Sequence, residues 1–448
     1  MPPSLIHYAH RFHLRRPRHL WLSRRMWRKR VVFSAGAALV GLVAVLFALA
    51  ADRAQELFRI VSDARPWLPF LLAPGGFALS VWLALRVVPG SQGSGIPQAI
   101  AARQIDRAEA RNRLLSLRIA VGKVALTLLG LACGASIGRE GPTVQIGASI
   151  MLAAGTVAGL GRQPGLILAG GAAGVAAAFN MPLAGVVFAI EEMSRSFERR
   201  TGNLVMTAVI IGGLAAMMLS GNYTYFGWTE AAVDWTDAAA VVSTSLVGGI
   251  AGALFSRIVL GVNRSLARGR LTGLARRPIL LALGCGLLVA LAGALSSGLT
   301  FGTGYAQAQQ ALAGEAALPW SYAPLKLLAT AVCAVSGIPG GVFSPSLSVG
   351  AGIGSVLAGA LPGSPAGAVI LLAMTAYFAG AVQAPLTAVI IVMEMSRDPA
   401  MLLPLMLTAL LASNVARLVS PQSLYHALAE TFLHSRREEP PAEARPTP

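Results

Sequence analysis

The sequence is short of charge. Only 12% of its 448 residues are Asp, Glu, Lys or Arg, about half the share of an ordinary soluble domain. Acids are scarcer still, 19 against 36 basic residues, for a formal net charge of +17. Cysteine is nearly absent: Cys133, Cys285 and Cys333 lie in apolar runs without metal-ligand spacing, which argues against a disulfide framework. His7, His10, His13 and His19 cluster near the N-terminus, but no helical His-Glu pair or Cys pair accompanies them, so no metal site is expected. The apolar stretches hold no nucleophile with its base, so neither an enzyme nor a cofactor is expected.

What is present is hydrocarbon, since 55% of the chain is hydrophobic. Val31 to Ala51, Phe70 to Leu85, Leu204 to Leu219, Ile279 to Leu295 and Met401 to Ala412 approach or reach the length of about 20 residues that a bilayer-crossing helix needs. Leu183 to Ile190 and Leu386 to Met393 are too short, and Gly or Pro interrupts many others. Such broken helices are tolerated at membrane depth only where protein or a watery cavity covers the backbone. The placement of the basic residues argues against nucleic acid. Nine Lys or Arg and no acid lie in residues 1–30, with further clusters at Arg103 to Arg118, Arg195 to Arg200, Arg264 to Arg277 and Arg436 to Arg445. These mark cytoplasmic segments, and the loops around Asp52 to Arg65, Glu230 to Asp237 and Glu315 are expected outside. Both termini are then cytoplasmic, with the first 30 residues a basic arm suited to anionic lipid rather than a cleaved signal peptide.

Sliding the sequence against itself by 203 positions places Lys123 on Lys326, Gly138 on Gly341, Pro142 on Pro345, Gly147 on Gly350, Pro182 on Pro385 and Glu191 on Glu394. Paired Gly, Pro, Lys and Glu at one offset indicate two related halves. The expected architecture is an all-α polytopic membrane protein of two inverted-topology repeats, built from broken and tilted helices. Its segments are a basic arm (1–30), a first membrane repeat (31–220), an external linker (221–236), a second membrane repeat (237–430) and a short cytoplasmic tail (431–448). Inversion brings equivalent broken helices together at the midplane, where transporters build their sites.

Three segments share a Gly-then-Pro design ahead of an apolar run: Gly93-Ser94-Gly95-Ile96-Pro97, Gly138-Arg139-Glu140-Gly141-Pro142 and Gly337 to Pro345. Proline suits a first helical turn, and glycine permits close backbone approach. The open N–H groups and positive dipole ends of such helices attract an anion without a full positive charge, so an ion can leave as well as enter. Glu140 sits in one of these loops. An ionisable group at membrane depth is costly and is a functional candidate by default; its carboxylate could occupy the anion's place until protonated. Arg139 reads as a structural partner. Glu191 and Glu192 end the run that begins near Pro182, where negative charge opposes the dipole of their own helix. They are candidates either for a proton path or for pairing with Arg195 or Arg199.

The three loops resemble, in order and spacing, the signature loops of the CLC chloride channel and transporter family. Ala177 to Gly185, the Glu191-Glu192-Met193 that follows and Ser423-Leu424-Tyr425 resemble it as well. The resemblance covers residues 31–430 and implies a homodimer with one pore per subunit. It also implies that Ser94 and Tyr425 offer hydroxyls to a central chloride, with the backbone N–H groups of Val342 and Phe343 completing its shell. Glu140 would be the external gate within a loop shaped by Gly138, Arg139, Gly141 and Pro142, Glu192 the inner proton-transfer residue, and Glu191 its neighbour on a proton path. Serine in the first loop matches chloride-preferring members, and an inner glutamate favours exchange with protons over passive conduction. Gln98 and Ile100 depart from the pattern, standing where bacterial relatives often place acids. The short end after the last apolar segment implies a bacterial type without nucleotide-sensing domains, in the inner membrane. A passive chloride channel of the same fold is the alternative. A broken-helix transporter of an organic anion is disfavoured because the loops offer few polar side chains for a larger substrate.

Overall fold

The computed structural model describes residues 23–160, 164–195, 199–221, 237–269 and 272–437. The histidine cluster of the arm, nearly all of the expected external linker and the tail beyond 437 lie outside them. Among the described residues are nineteen α-helices and no extended strand. The first half holds α1 (Arg24–Ala64), α2 (Pro69–Arg86), α3 (Ile96–Arg103), α4 (Ala108–Asn112), α5 (Leu117–Ala132), α6 (Glu140–Val157), α7 (Pro164–Phe179), α8 (Pro182–Phe188) and α9 (Arg199–Ser220). The second holds α10 (Ala238–Ala267), α11 (Thr272–Ala275), α12 (Pro278–Leu295), α13 (Tyr305–Leu312), α14 (Tyr322–Val335), α15 (Phe343–Ala360), α16 (Ala366–Val382), α17 (Pro385–Ser396), α18 (Leu402–Val419) and α19 (Leu424–Arg437).

Eight helices among the described residues are long and apolar enough to cross a membrane. Burial follows the pattern of a protein in lipid. Leu39, Leu42, Leu46 and Leu49 of α1 face outward while Val40, Ala44 and Phe47 face the core. α7 and α16 are buried almost throughout, which is why their sequences are apolar on every face. They are the central helices, packed by α6 and α15 respectively. At the α6–α7 crossing a Cβ on Gly147 would meet the Gly170 carbonyl, so small residues let the backbones touch where lipid supplies no hydrophobic drive.

The repeat is an inverted one, and its axis is visible in the hydrogen bonds. Gly138 and Gly341, partners at the offset of 203, form an antiparallel bridge with each other: Gly138 N donates to Gly341 O at 2.7 Å and Gly341 N to Gly138 O at 2.8 Å. A residue that exchanges bonds with its own repeat mate lies on a pseudo-twofold, and α6 and α15 run from it in opposite directions. Asn180 and Gln383, also mates, both adopt left-handed backbone, with φ of 58° and 61°, turning the chain from α7 into α8 and from α16 into α17. The packing of α1 on α7 and α9 is repeated by α10 on α16 and α18.

Two expectations shift. The stretch from Asp52 was expected as a loop, but it forms the last turns of α1, which extends without a break to Ala64. At about 1.5 Å per residue its 41 residues span about 62 Å, twice a hydrocarbon core of about 30 Å, so the charged end projects beyond the bilayer as helix. The segment limits at 30 and 430 likewise fall inside helices, since α1 begins at Arg24 and α19 continues to Arg437.

Candidate functional site

The three Gly-Pro loops converge. Besides the Gly138–Gly341 bridge, Gly93 N donates to Ile338 O at 3.3 Å and Gly340 N to Gly93 O at 3.2 Å. The third loop therefore lies between the other two, and the beginnings of α3, α6 and α15 meet. Each leaves N–H groups without an intrahelical acceptor in its first turn. Gly95 caps α3 with φ of 103°, open to glycine at little cost. Gly141 is required by crowding: a Cβ there would strike Ser94 Oγ and come within 3.1 Å of Gly341 Cα.

A buried lysine holds each repeat's entry loop. Lys123 Nζ donates to the carbonyls of Ser91 at 2.6 Å, Gln92 at 3.3 Å and Gly93 at 2.7 Å. Its mate Lys326 donates to Thr300 at 2.9 Å and Gly302 at 2.7 Å, ahead of α13, whose N-cap Gly304 is left-handed like Gly95. The internal repeat marked both lysines, and the structure gives the reason: each ties down carbonyls that no helix can satisfy at membrane depth.

Glu140 opens α6 and is fully buried. Its side chain folds back over Gly138, Oε1 accepts a hydrogen bond from Ser344 Oγ, and Oε2 is buried without a hydrogen-bond partner. Arg139 points away, donating to Asp52 Oδ1 at 2.7 Å and Ala48 O at 2.8 Å, as suits a structural partner. Val342 caps α15 and Phe343 begins it, both buried. The Phe343 ring is gripped by Phe179, Phe188, Phe378 and Tyr425, with centroids 4.8–6.4 Å apart. Tyr425, in the first turn of α19, thereby brings its hydroxyl near Ser94 and within electrostatic range of both Glu140 and Glu192. The Ser94 and Tyr425 hydroxyls are buried close to each other, with no further hydrogen-bond partner among the described residues. An unmatched buried polar group costs about 1–3 kcal/mol, so two aimed at one place suit a ligand. A cavity of about 170 Å³, lined by Gln92, Ser94, Val342, Tyr425 and Phe432 among others, leads to them.

Glu191 and Glu192 separate. They sit on a π-helical turn, Ala189–Ser194, that continues α8. Glu191 caps a helix, but not its own: Oε1 accepts from Leu386 N at 3.1 Å, and Oε2 from Thr387 N at 2.6 Å and Thr387 Oγ1 at 2.7 Å, at the start of α17. Its mate Glu394 returns the contact, accepting from Leu183 N at 3.1 Å and Ala184 N at 2.7 Å at the start of α8. The unfavourable position at the end of one helix is thus a favourable one at the start of another. Glu192 is buried, its Oε1 accepting from Ser423 Oγ at 3.4 Å and lying 3.1 Å from His426 Nδ1. Sequence reasoning assigned no role to Ser344, Asp52 or His426, although Ser344 lies within the third Gly-Pro loop and His426 directly follows Tyr425.

An inverted pair of broken-helix repeats whose helix N-termini converge at one place defines a membrane transport protein. Residues 76–417 match the family described as voltage gated chloride channel, and the chain belongs to that family. It is 31% identical over 439 residues to the H(+)/Cl(-) exchange transporter ClcA of Yersinia pseudotuberculosis serotype IB (strain PB1/+), covering 90% of this chain and 88% of the relative. It is also 31% identical over 448 residues to ClcA of Cronobacter sakazakii (strain ATCC BAA-894), covering 92% and 91%. Among solved structures, a slow cyanobacterial Cl-/H+ antiporter superposes with a TM-score of 0.77 at 27% identity, over 92% of this chain and 99% of the other. A CLC-type fluoride/proton antiporter shares the fold, with a TM-score of 0.75 at 23% identity over 89% and 96%.

Proposed function

We propose that the protein exchanges chloride for protons across the membrane, with Glu140 as the gate. The observation that carries this reading is the place of the Glu140 carboxylate: buried at the junction of three helix N-termini, hydrogen-bonded by Ser344, over the glycine that bridges the repeats. An ionised carboxylate there uses the field that would hold chloride. Protonation removes its charge and lets the side chain yield to the anion, so proton and chloride occupy the site by turns. Inward of it, Ser94 and Tyr425 supply hydroxyls and Val342 and Phe343 supply N–H groups for a central chloride. Gly138, Arg139, Gly141 and Pro142 shape the gate loop. Partial charges rather than an ammonium or guanidinium line this position, which permits release. Glu192 is the inner proton-transfer residue.

The exchanger acts as a homodimer with one path per subunit, in a bacterial inner membrane with both termini cytoplasmic. That orientation rests on the basic clusters between the helices. The stretch before α1 is a basic arm, residues 221–236 an external linker joining the two membrane repeats, and the residues that follow α19 are cytoplasmic. The test is purified protein in liposomes under a chloride gradient, with external chloride and pH recorded together. Chloride-driven uphill proton movement supports exchange, and chloride flux without it supports a passive channel instead. Glu140→Ala is expected to keep chloride flux and abolish proton coupling; intact coupling in that variant would remove Glu140 from the gate.

A further inference from the structure

Exchange requires protons to reach Glu192 from the inner side, and Glu192 is shut off from water, its side chain 2% exposed. Glu191 is poorly placed to supply them, since both its oxygens are committed to the start of α17. The positions after the first loop where an acid would help are Gln98 and Ile100; Gln98 is itself engaged, accepting from Gly95 N at 3.0 Å and donating to Gln92 O. Among the described residues, one titratable side chain is hydrogen-bonded to Glu192. His426 places Nδ1 3.1 Å from Oε1, and its side chain is 20% exposed.

We infer that His426 is the inner proton relay of this chain, passing protons between the cytoplasmic water and Glu192. The inference rests on the exchange reading above. Imidazole suits the task because its two nitrogens handle protons on opposite edges of the ring. Nε2 takes a proton from water and Nδ1 gives its own to Glu192 Oε1, so one proton passes from the cytoplasmic water to Glu192 and the ring is left neutral. Return along the same path reverses both steps. The contact is a hydrogen bond in either state, with Nδ1–H donating to the carboxylate or the carboxyl O–H donating to Nδ1. The transfer itself moves no heavy atom, and a ring flip that exchanges the two nitrogens then turns the proton left on Nε2 toward Glu192 before the next transfer. The Ser423 hydroxyl, 3.4 Å from the same Oε1 and 3.1 Å from Val382 O, helps hold the carboxylate in register.

Among the described residues the charged groups around the pair are few. α19 packs on α3, α10 and α16. The last of these has no charged residue, α3 contributes Arg103 and α10 Arg257 and Arg264. Arg103 donates to the carbonyls of Met193 and Ser194 at 3.0 and 3.2 Å, and Arg264 to Gln422. Glu191 and Arg195 lie on the turn that holds Glu192, and Glu430 one turn along α19 is exposed.

The experiment uses the full chain in liposomes, with chloride-driven proton movement measured against cytoplasmic-side pH. His426→Asn keeps the shape and a hydrogen bond to Glu192 but cannot carry the proton. It is expected to lower the proton rate about fivefold or more at neutral pH and to flatten its dependence on cytoplasmic-side pH. Its chloride affinity by calorimetry should stay within about twofold of the parent. A variant with the parent's proton rate and profile overturns the relay. So does one that loses chloride binding along with transport, because the role is then structural. Chloride flux without proton movement in the parent protein would defeat the exchange reading itself, before any variant is made, and the relay with it.

Discussion

The pseudo-twofold makes Glu140 and Phe343 equivalent residues, each the first of its helix, yet one is a carboxylate and the other an aromatic ring. The scaffold is symmetric and the site is not. Phe343 turns its ring into the aromatic cluster and leaves its backbone toward the site, while Glu140 puts a titratable group there. A single carboxylate therefore sits at a place built by two equivalent helix ends. Tyr425 completes that place through one atom, since its ring is already held by Phe343. Tyr425→Phe keeps the packing and removes the hydroxyl. We expect chloride binding to weaken by about 0.5–1.5 kcal/mol, roughly two- to tenfold, as for one neutral hydrogen bond. Calorimetric titration with chloride checks this, and unchanged affinity would take Tyr425 out of the anion shell.

Among elements, the reciprocal caps tie the two halves together. α8 and α17 are short apolar helices that cannot satisfy their first N–H groups alone, and each borrows a glutamate from the end of the other. This gives Glu191 a structural role that neither a proton path nor pairing with Arg195 or Arg199 had described. Glu191→Ala and Glu394→Ala should each destabilise the protein by about 2 kcal/mol, the scale of a charged helix cap. Thermal unfolding in detergent measures the loss. Proton-to-chloride stoichiometry should be unchanged in both, and loss of coupling in Glu191→Ala alone would return Glu191 to the proton path.

For the whole molecule, inversion and the basic clusters make a topological prediction. Cys133, Cys285 and Cys333 are buried, which leaves a silent background for single-cysteine reporters. Asp63 and Glu315 are exposed at one set of helix connections, and Arg113 and Arg268 at the other. Cysteines replacing Asp63 and Glu315 should react with a membrane-impermeant maleimide on intact cells. Those replacing Arg113 and Arg268 should react only after permeabilisation. Labelling of all four from one side would defeat the assigned orientation.

By itself the sequence determined the membrane class, the two halves and the three loops. Apolar length, a single repeat offset and Gly-then-Pro spacing are local properties that leave a local trace, and α6 and α15 indeed keep the offset of 203 at both ends. Only the tertiary structure decided the partners: Ser344 on Glu140, 204 residues away, Glu191 on Thr387, 196 away, and His426 on Glu192, 234 away. No periodicity encodes such pairs, because they arise where the pseudo-twofold brings helix ends of different repeats together. The charge at membrane depth was therefore legible as a cost, and what compensates it was not.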